Sequence, residues 1–362
     1  MSGMWGQALR LSIFGESHGE AIGMVVDGLP PGMPVDGEEI ARDMARRAPG
    51  RDKTSTPRKE ADAVRIVSGV HDGRTTGAPI CGMIENTNTR SADYGEMTTL
   101  ARPGHADYSG FVRYQGHNDV RGGGHFSGRL TAPLVFAGAL ARQFLQEKGV
   151  TAGAHIARIG AVDDECFDPM QVSQEELVAL RASDFPLLRP VQETAMRKQV
   201  ESARVAQDSI GGIVECAAVG LSPGWGHPFF DSVESLVAHL LFSVPAVKGV
   251  EFGDGFALSQ QRGSEANDSF YMDGERVKTR TNHNGGLNGG ITNGMPLVLR
   301  AAIKPTSSIS QEQQTIDYRE KKDAVLRVRG RHDPCIVLRA VPVVEAALML
   351  GLTEVILATN RA

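Results

Sequence analysis

The sequence has few aromatic residues, few cysteines and no excess of positive charge. Only 6% of its 362 residues are aromatic, and its net charge of −5 disfavours non-specific binding to nucleic acid. The four cysteines are Cys81, Cys166, Cys216 and Cys335. Because they are widely spaced and include no C-x-x-C pair, we predict reduced thiols in a cytoplasmic protein rather than a disulfide framework.

Several segments that define other protein classes are also missing. The segment MSGMWGQALRLSIFG at the start has one positive charge and no long apolar core, so we expect no signal peptide. No apolar run reaches the length that we expect of a transmembrane helix, and we predict no association with a membrane. The G-x-G-x-x-G and G-x-x-x-x-G-K-[ST] motifs are absent, which argues against the usual dinucleotide and phosphate loops.

The pattern of apolar residues predicts an alternation of strands and helices. Strands are expected at Ala8–Phe14, Ile22–Val26, Val64–Val70 and Ala78–Ile84. Helices are expected at Glu38–Arg46, Leu130–Gln143, Ser173–Arg181, Val191–Gln207, Ser232–Phe242 and Val341–Leu350. Asp36 should cap the first helix, and the second, which has no charge between Leu130 and Ala141, should be buried on most sides.

Two segments of the first half have counterparts in the second half. GMVVDGLPPG at Gly23–Gly32 resembles GIVECAAVGLSPG at Gly212–Gly224, and GVHDGRTTGAPI at Gly69–Ile80 resembles GLNGGITNGMPL at Gly286–Leu297. Chance similarity between turns rich in glycine and proline is the alternative. We interpret the echo as an ancient duplication with pseudo-repeats of about 1–150 and 151–362. Because no linker-like stretch divides them, a single interlocked α/β domain over residues 1–362 is the simpler expectation.

The turn GESHG at Gly15–Gly19 contains two candidate reactive side chains. It matches the G-x-S-x-G nucleophile elbow of α/β-hydrolases, but a strand rather than the required helix should follow it. Ser17 is therefore disfavoured as a nucleophile. His18 could transfer a proton near neutral pH, or it could simply satisfy backbone carbonyls in the turn.

Four further segments combine glycine or proline with cationic or hydroxyl side chains. RRAPGRDKTSTPRKE could be a solvated charged loop or a clamp for a polyanion, and KPTSS could bind phosphate oxygens. RPGHADYSG carries His105, and RGGGHFSGR carries three glycines that would allow a ligand to approach the backbone. The histidines at 105, 117 and 125 lack the spacing of a metal site, so no metal is expected. Together these segments predict general acid–base chemistry on a phosphorylated, carboxylated metabolite.

An ordered set of motifs resembles the chorismate synthase family across nearly the whole chain. The set is GESHG, RRAPGRD, RPGHADYSG, RGGGHFSGR, AVKGVEFGDGF, NHNGGLNGG, KPTSS and GRHDPC. The resemblance implies a β-α-β sandwich fold, a homotetramer and the conversion of 5-enolpyruvylshikimate 3-phosphate to chorismate by anti-1,4-elimination of phosphate. It also implies a requirement for reduced FMN without net oxidation. A hydrolase built on GESHG and a non-catalytic phosphometabolite-binding protein are the alternatives.

The resemblance also implies roles for particular residues. His105 would be the acid that assists phosphate departure, His18 would act on the reduced flavin, and Asp333 would take the C6 proton, directly or by relay. The substrate phosphate and carboxylates would bind Arg47, Arg51, Arg129 and Arg331. The FMN site would be lined by His125, Phe126, Ser127, Ala246, Gly289, Lys304, Pro305, Thr306, Ser307, Ser308 and Arg331.

NADPH is implied only as a possible source of electrons for the flavin. Arg47 and Lys53 correspond to NADPH contacts in the family, and a separate flavin reductase is the expected partner. Three positions depart from the family pattern: His125 and Lys53 stand where many relatives carry arginine, and Gly128 stands where many carry alanine. Histidine supplies a positive charge only when it is protonated, and lysine lacks the bidentate fork of a guanidinium group.

Overall fold

The structure is a computed structural model that describes residues 3–50, 62–86, 99–328 and 332–359. The predictions for Arg51, Lys53 and Arg331 lie outside these ranges. Eight α-helices occur in the described residues. They are α1 (Gly37–Arg47), α2 (Asp107–Arg113), α3 (Thr131–Glu147), α4 (Gln174–Ala182), α5 (Glu193–Val205), α6 (Val233–Ser243), α7 (Gly263–Ala266) and α8 (Val337–Thr359).

Two five-stranded antiparallel sheets form the outer layers. The first has the order β1-β2-β3-β7-β4 and the second the order β11-β16-β10-β8-β9. The strands of the first are β1 (Met4–Trp5), β2 (Arg10–Gly15), β3 (Ala21–Asp27), β4 (Arg65–Ser68) and β7 (Ile80–Glu85). Those of the second are β8 (Thr151–Ile159), β9 (Val162–Asp163), β10 (Gly212–Val219), β11 (Val247–Phe252) and β16 (Leu297–Ile303). Four two-stranded hairpins complete the sheets: β5 (Val70–His71) with β6 (Arg74–Thr75), β12 (Phe270–Asp273) with β13 (Arg276–Thr279), β14 (Leu287–Asn288) with β15 (Ile291–Thr292), and β17 (Glu312–Asp317) with β18 (Lys322–Arg327).

The helices α3 and α8 form the layer between the two sheets. They pack against each other, and α3 contacts β3 and β7 while α8 contacts β8 and β10. At their crossing, a side chain on Gly138 would lie 2.4 Å from the Cβ of Ala346, so only glycine allows this close approach. The β-α-β sandwich expected from the sequence resemblance is thus the observed architecture.

The two sheets are built from elements in the same order. β2, β3, α1, β4, a hairpin, β7 and α3 in the first half correspond to β8, β10, α6, β11, a hairpin, β16 and α8 in the second. The echoed segments also make the same contacts: the Thr75 hydroxyl donates to the carbonyl of Pro30, and the Thr292 hydroxyl to that of Ser222. We propose, on these correspondences, that the halves of about 1–150 and 151–362 arose by duplication.

Most predicted elements occur within a few residues of their expected bounds. Asp36 caps α1 as predicted, accepting hydrogen bonds from the amides of Glu38 and Glu39. The single strand predicted at Val64–Val70 was wrong, because the chain turns at Gly69, where φ is +82°, and splits into β4 and β5.

The last helix is much longer than the predicted Val341–Leu350. It begins at Val337, before Pro342, and continues past Gly351. Gly351 does not end the helix but allows close packing, since a side chain there would lie 2.6 Å from Val237. The expectation that no apolar segment is long enough to cross a membrane was wrong, because α8 is long and apolar enough to do so. However, 94% of its most apolar stretch is buried within the protein.

A network of buried ion pairs joins helices α1, α3, α4 and α8. Glu345 accepts two hydrogen bonds from Arg46, at 2.6 and 2.7 Å, and one from Arg142 at 2.7 Å. Asp43 accepts from Arg142 and Arg181, each at 2.9 Å. Burial favours the neutral form of Asp43, but the three arginines prevail and lower its pKa to about 2. Arg46 is therefore part of the protein interior. It does not belong to the solvated charged loop that was one interpretation of RRAPGRDKTSTPRKE.

Candidate functional site

The glycines of RGGGHFSGR place a loop between two of the predicted catalytic histidines. Gly122, Gly123 and Gly124 all have positive φ, at 60°, 86° and 54°. A Cβ on Gly122 would lie 2.2 Å from the imidazole of His18, and a Cβ on Gly123 would lie 3.2 Å from Nε2 of His105. These positions require glycine both for the backbone conformation and for the space that the two imidazoles occupy.

The GESHG turn is attached to the same loop. The amide of Ser17 donates to the carbonyl of Gly124 at 3.1 Å, and Nδ1 of His125 lies 2.8 Å from the carbonyl of Gly15, to which it donates. GESHG connects β2 to the antiparallel β3 rather than to a helix. The nucleophile-elbow interpretation of Ser17 is therefore wrong, and the turn instead delivers His18 to the site.

The RPGH segment holds His105 through an adjacent carboxylate. Nδ1 of His105 donates to Oδ1 of Asp107 at 2.7 Å, and Arg102 donates to both carboxylate oxygens of Asp107, each at 2.7 Å. Burial acts to raise the pKa of Asp107, but the hydrogen bonds from Arg102 and His105 hold it well below its usual range. Asp107 therefore faces His105 as a carboxylate anion.

The KPTSS segment, which follows β16, lies against the RPGH segment. Nζ of Lys304 donates to the carbonyl of Gly104 at 2.6 Å, and Nη1 of Arg102 donates to Oγ of Ser308 at 3.2 Å. The backbone amide of Lys304 donates to the carbonyl of Ala246 at 2.9 Å. Lys304 and Ser308 of the KPTSS segment thus contact the segment that carries His105, and Ala246 contacts Lys304.

The segment after β18 reaches the cluster through Asp333. The carbonyl of Asp333 accepts a hydrogen bond from Oγ1 of Thr306 at 3.1 Å, and its carboxylate forms an ion pair with Arg339. Nε of Arg339 donates to the carbonyl of Arg47 at 3.1 Å. Asp333 is therefore connected to both the KPTSS segment and the end of α1.

The predicted substrate arginines 47 and 129 share one buried carboxylate. Asp62 forms ion pairs with Nη1 of Arg47 at 2.6 Å and with Nη1 of Arg129. Burial favours the neutral form of Asp62, but the two guanidinium groups lower its pKa. Burial also lowers the pKa of Arg47 to about 10, although Asp62 opposes this shift. Arg47 donates further to Thr131 and to the carbonyl of Gly128, both at 3.1 Å.

Two residues predicted to line the FMN site also have structural roles. The ring of Phe126 packs against α2, where a side chain on Gly110 would lie 2.7 Å from it. Oγ of Ser127 accepts from the amide of Arg129 at 3.3 Å and caps the following turn. The side chain of His125 is exposed.

Gly289 lies apart from the other predicted residues. It is in the turn between β14 and β15, which precedes β16, whereas Lys304 follows β16. β16 separates these ends, and its six steps from Leu297 to Ile303 span about 20 Å at a rise of about 3.3 Å per residue. The positive φ of 62° at Gly289 follows from the tight hairpin turn. Its contact with FMN stays a prediction.

Four contributing residues were missed as functional candidates in the sequence. They are Asp62, Arg102, Asp107 and Arg339. Arg102 and Asp107 flank His105 within RPGHADYSG, so their position was the available signal. Asp62 is 67 residues from Arg129, and Arg339 is 292 residues from Arg47, so no local pattern identifies these contacts. No group of side chains suited to a metal ion occurs among the described residues.

Histidines beside a glycine loop, together with guanidinium groups, on a β-α-β sandwich are typical of an enzyme that acts on an anionic small molecule. The fold resembles a solved structure titled "Crystal Structure of Chorismate Synthase", with a TM-score of 0.77 and 27% identity over 98% of this chain and 93% of that one. The family model described as chorismate synthase matches residues 9–357. The chain belongs to the chorismate synthase family.

Curated relatives extend the match over almost the full length. The chorismate synthase of Thermococcus kodakarensis is 46% identical over 351 residues, which are 97% of this chain and 96% of the relative. That of Aeropyrum pernix is 47% identical over 352 residues, with 97% and 92% covered. The activity is that of a carbon–oxygen lyase in the shikimate pathway to aromatic amino acids, which excludes the hydrolase and the non-catalytic binding protein.

Proposed function

We propose that the chain eliminates phosphate from 5-enolpyruvylshikimate 3-phosphate with reduced FMN held beside the glycine loop. The observation that carries the proposal is the position of Gly122 and Gly123 between the rings of His18 and His105. Backbone without side chains lets both imidazoles approach the loop closely, so a ligand bound beside the loop would meet both rings. Reduced FMN would supply transient electron density to the substrate during the elimination.

His105 acts as the acid that neutralises the departing phosphate. A phosphate leaves more readily when a proton or a cation compensates its developing charge. Arg129 and Arg47 supply that positive charge, and Asp62 holds their guanidinium groups side by side. His18 contributes a proton or a hydrogen bond on the other side of the loop, and the carboxylate of Asp333 accepts the proton from C6, directly or by relay.

The residues of KPTSS suit the phosphate and polar edge of FMN. Lys304 provides a cation, Thr306 and Ser308 provide hydroxyl groups, and Ser307 lies next to the RPGH turn. Pro305 limits the backbone freedom of this segment. We also propose the predicted FMN contacts of His125, Phe126, Ser127, Ala246 and Arg331, and substrate contacts of Arg51 and Arg331.

An anaerobic assay tests the cofactor proposal. The protein is mixed with 5-enolpyruvylshikimate 3-phosphate and dithionite-reduced FMN, and chorismate absorbance and phosphate release are followed together. Both products should appear in equal amounts with reduced FMN and neither with oxidised FMN, because the reaction needs electron density from the flavin but consumes no electrons. Equal turnover without reduced flavin would contradict the proposal.

Lys304→Ala should weaken FMN binding at least about tenfold, because it removes a cation from the proposed phosphate site. Lys322→Ala, which removes an exposed cation elsewhere, should not weaken it.

The source of the electrons is proposed to be a separate flavin reductase. NADPH contacts at Arg47 and Lys53 remain a proposal, and Arg47 is only 3% exposed and already paired with Asp62. Mixing the enzyme anaerobically with oxidised FMN and NADPH tests this point. Flavin reduction at the rate of turnover would show that the enzyme reduces its own cofactor.

We propose that the protein is a cytoplasmic homotetramer. Two adjacent phenylalanines support an interface, because Phe229 and Phe230 are 85% and 91% exposed in the single chain. Asparagine is chosen to replace Phe229 in the test variant, because Phe229 has a positive φ of 61°, which asparagine tolerates better than most residues. Light scattering should find a tetramer for the wild type and smaller species for Phe229→Asn/Phe230→Ser. Val205→Ser, which removes an exposed side chain on α5, is the control and should remain tetrameric.

A further inference from the structure

Asp107 and Arg102 form a hydrogen-bonded unit with His105. We propose that Asp107 is a positioning residue that fixes His105 with its proton on Nδ1 and with Nε2 toward the glycine loop, and that Arg102 holds Asp107 in that geometry. This inference rests on the proposed function, because it assigns a support to the acid His105. Neither residue has a role among the predicted catalytic or ligand-binding groups.

The geometry leaves Asp107 little freedom. Its Oδ2 accepts from the backbone amide of Arg102 at 2.9 Å and from Nε of Arg102 at 2.7 Å. Its Oδ1 accepts from Nη2 of Arg102 and from Nδ1 of His105, both at 2.7 Å. Two planar groups are thus locked against one carboxylate, and the imidazole plane is set by the same oxygen that Arg102 holds.

The charge of Asp107 determines which nitrogen of His105 can change its proton. A carboxylate can only accept, so Nδ1 must carry hydrogen in both the neutral and the cationic imidazole. Nη2 of Arg102, 3.1 Å from Nδ1, is a donor as well and cannot replace that acceptor. The exchangeable proton is therefore on Nε2, which is the nitrogen next to Gly123.

Arg102 also connects this unit to the KPTSS segment. Its third nitrogen, Nη1, donates to Ser308 at 3.2 Å, and Lys304 donates to the carbonyl of Gly104, next to His105. One guanidinium group thus spans the carboxylate that orients the acid and a hydroxyl of the proposed cofactor segment. The spacing between the acid and that segment is fixed by direct contacts rather than by loop length.

Substitution of Asp107 separates positioning from simple structural support. Asp107→Asn keeps the size but lets an amide donor face Nδ1, which favours the wrong tautomer. We expect kcat to fall at least about 10- to 100-fold, the loss found when partners that orient metal-bound histidines are removed, with KM changed by less than about threefold. The alkaline limb of the kcat profile should move to lower pH, because the imidazolium loses its counterion. Asp107→Glu should recover at least part of kcat. Asp273→Asn, which removes an exposed carboxylate paired with Lys278, should change nothing.

The tautomer gives a readout that does not depend on activity. Histidine-labelled protein is studied by ¹⁵N NMR, and His105→Gln assigns the His105 signals. The neutral ring should carry hydrogen on Nδ1 in the wild type and on Nε2 in Asp107→Asn. An unchanged tautomer, or a loss of activity explained by a lower melting temperature alone, overturns the inference. If His105→Ala retains full activity while the tautomer still switches, it is the proposed role of His105 that fails.

Discussion

His105→Ala is expected to lower kcat by about 10²- to 10⁴-fold, the usual contribution of a general acid. KM for the enolpyruvyl phosphate should change by less than about threefold, because Arg47 and Arg129 retain their shared partner Asp62. A large fall in kcat with little change in KM is expected from the position of His105, whose imidazole is held by Asp107 and faces the glycine loop. Steady-state kinetics with reduced FMN measure both constants.

His117→Ala is the control for this substitution. His117 lies near the same loop in sequence, but its side chain is exposed, and its loss should leave both constants unchanged. If His105→Ala instead raised KM in proportion to the loss of kcat/KM, His105 would only help to bind the substrate. Phosphate release measured in a single turnover should be the step that slows.

Glu345→Gln is expected to lower the free energy of unfolding by about 3–5 kcal/mol, the usual cost of breaking a buried ion pair. Glu345 is fully buried and accepts from Arg46, Arg142 and the amide of Ala154. The glutamine amide would place donors against guanidinium donors and leave two buried cations with less compensation. Denaturant titration at pH 7 measures the loss. Glu312→Gln removes the carboxylate of an exposed pair with Arg327 and should cost less than about 1 kcal/mol.

The same network predicts how stability depends on pH. The folded-state pKa of Asp43 is about 2, and that of Glu345 is also lowered: burial opposes the shift, and the arginines outweigh it. A carboxylate whose pKa is lowered by folding stabilises the folded state fully at pH values above its unfolded-state pKa of about 4. This stabilisation is lost as the pH falls through its folded-state pKa. The wild type should therefore lose stability between about pH 4 and pH 2. Glu345→Gln should show a shallower loss over that interval, and an identical slope would argue against the charge network.

Local sequence patterns predicted the cap at Asp36 and the approximate bounds of most elements, because hydrogen bonds and apolar periodicity within a segment decide them. The pattern failed for α8, whose start precedes Pro342 and which passes through Gly351. A glycine that normally ends a helix here serves the contact with Val237. That reason lies in another helix and is invisible in the segment itself.

The sequence by itself contained the motifs that identify the family, and those motifs predicted which histidines act as acids or bases. Only the tertiary structure decided which charged side chains lie at the candidate site and which form ion pairs in the protein interior. Adjacent Arg46 and Arg47 point to different partners, Glu345 in the core and Asp62 beside Arg129. Consecutive residues on a helix face different directions, and their partners come from residues distant in the chain. The types of residue in the sequence therefore indicate which chemical groups are present, while the packing of the sheets and helices determines where those groups lie.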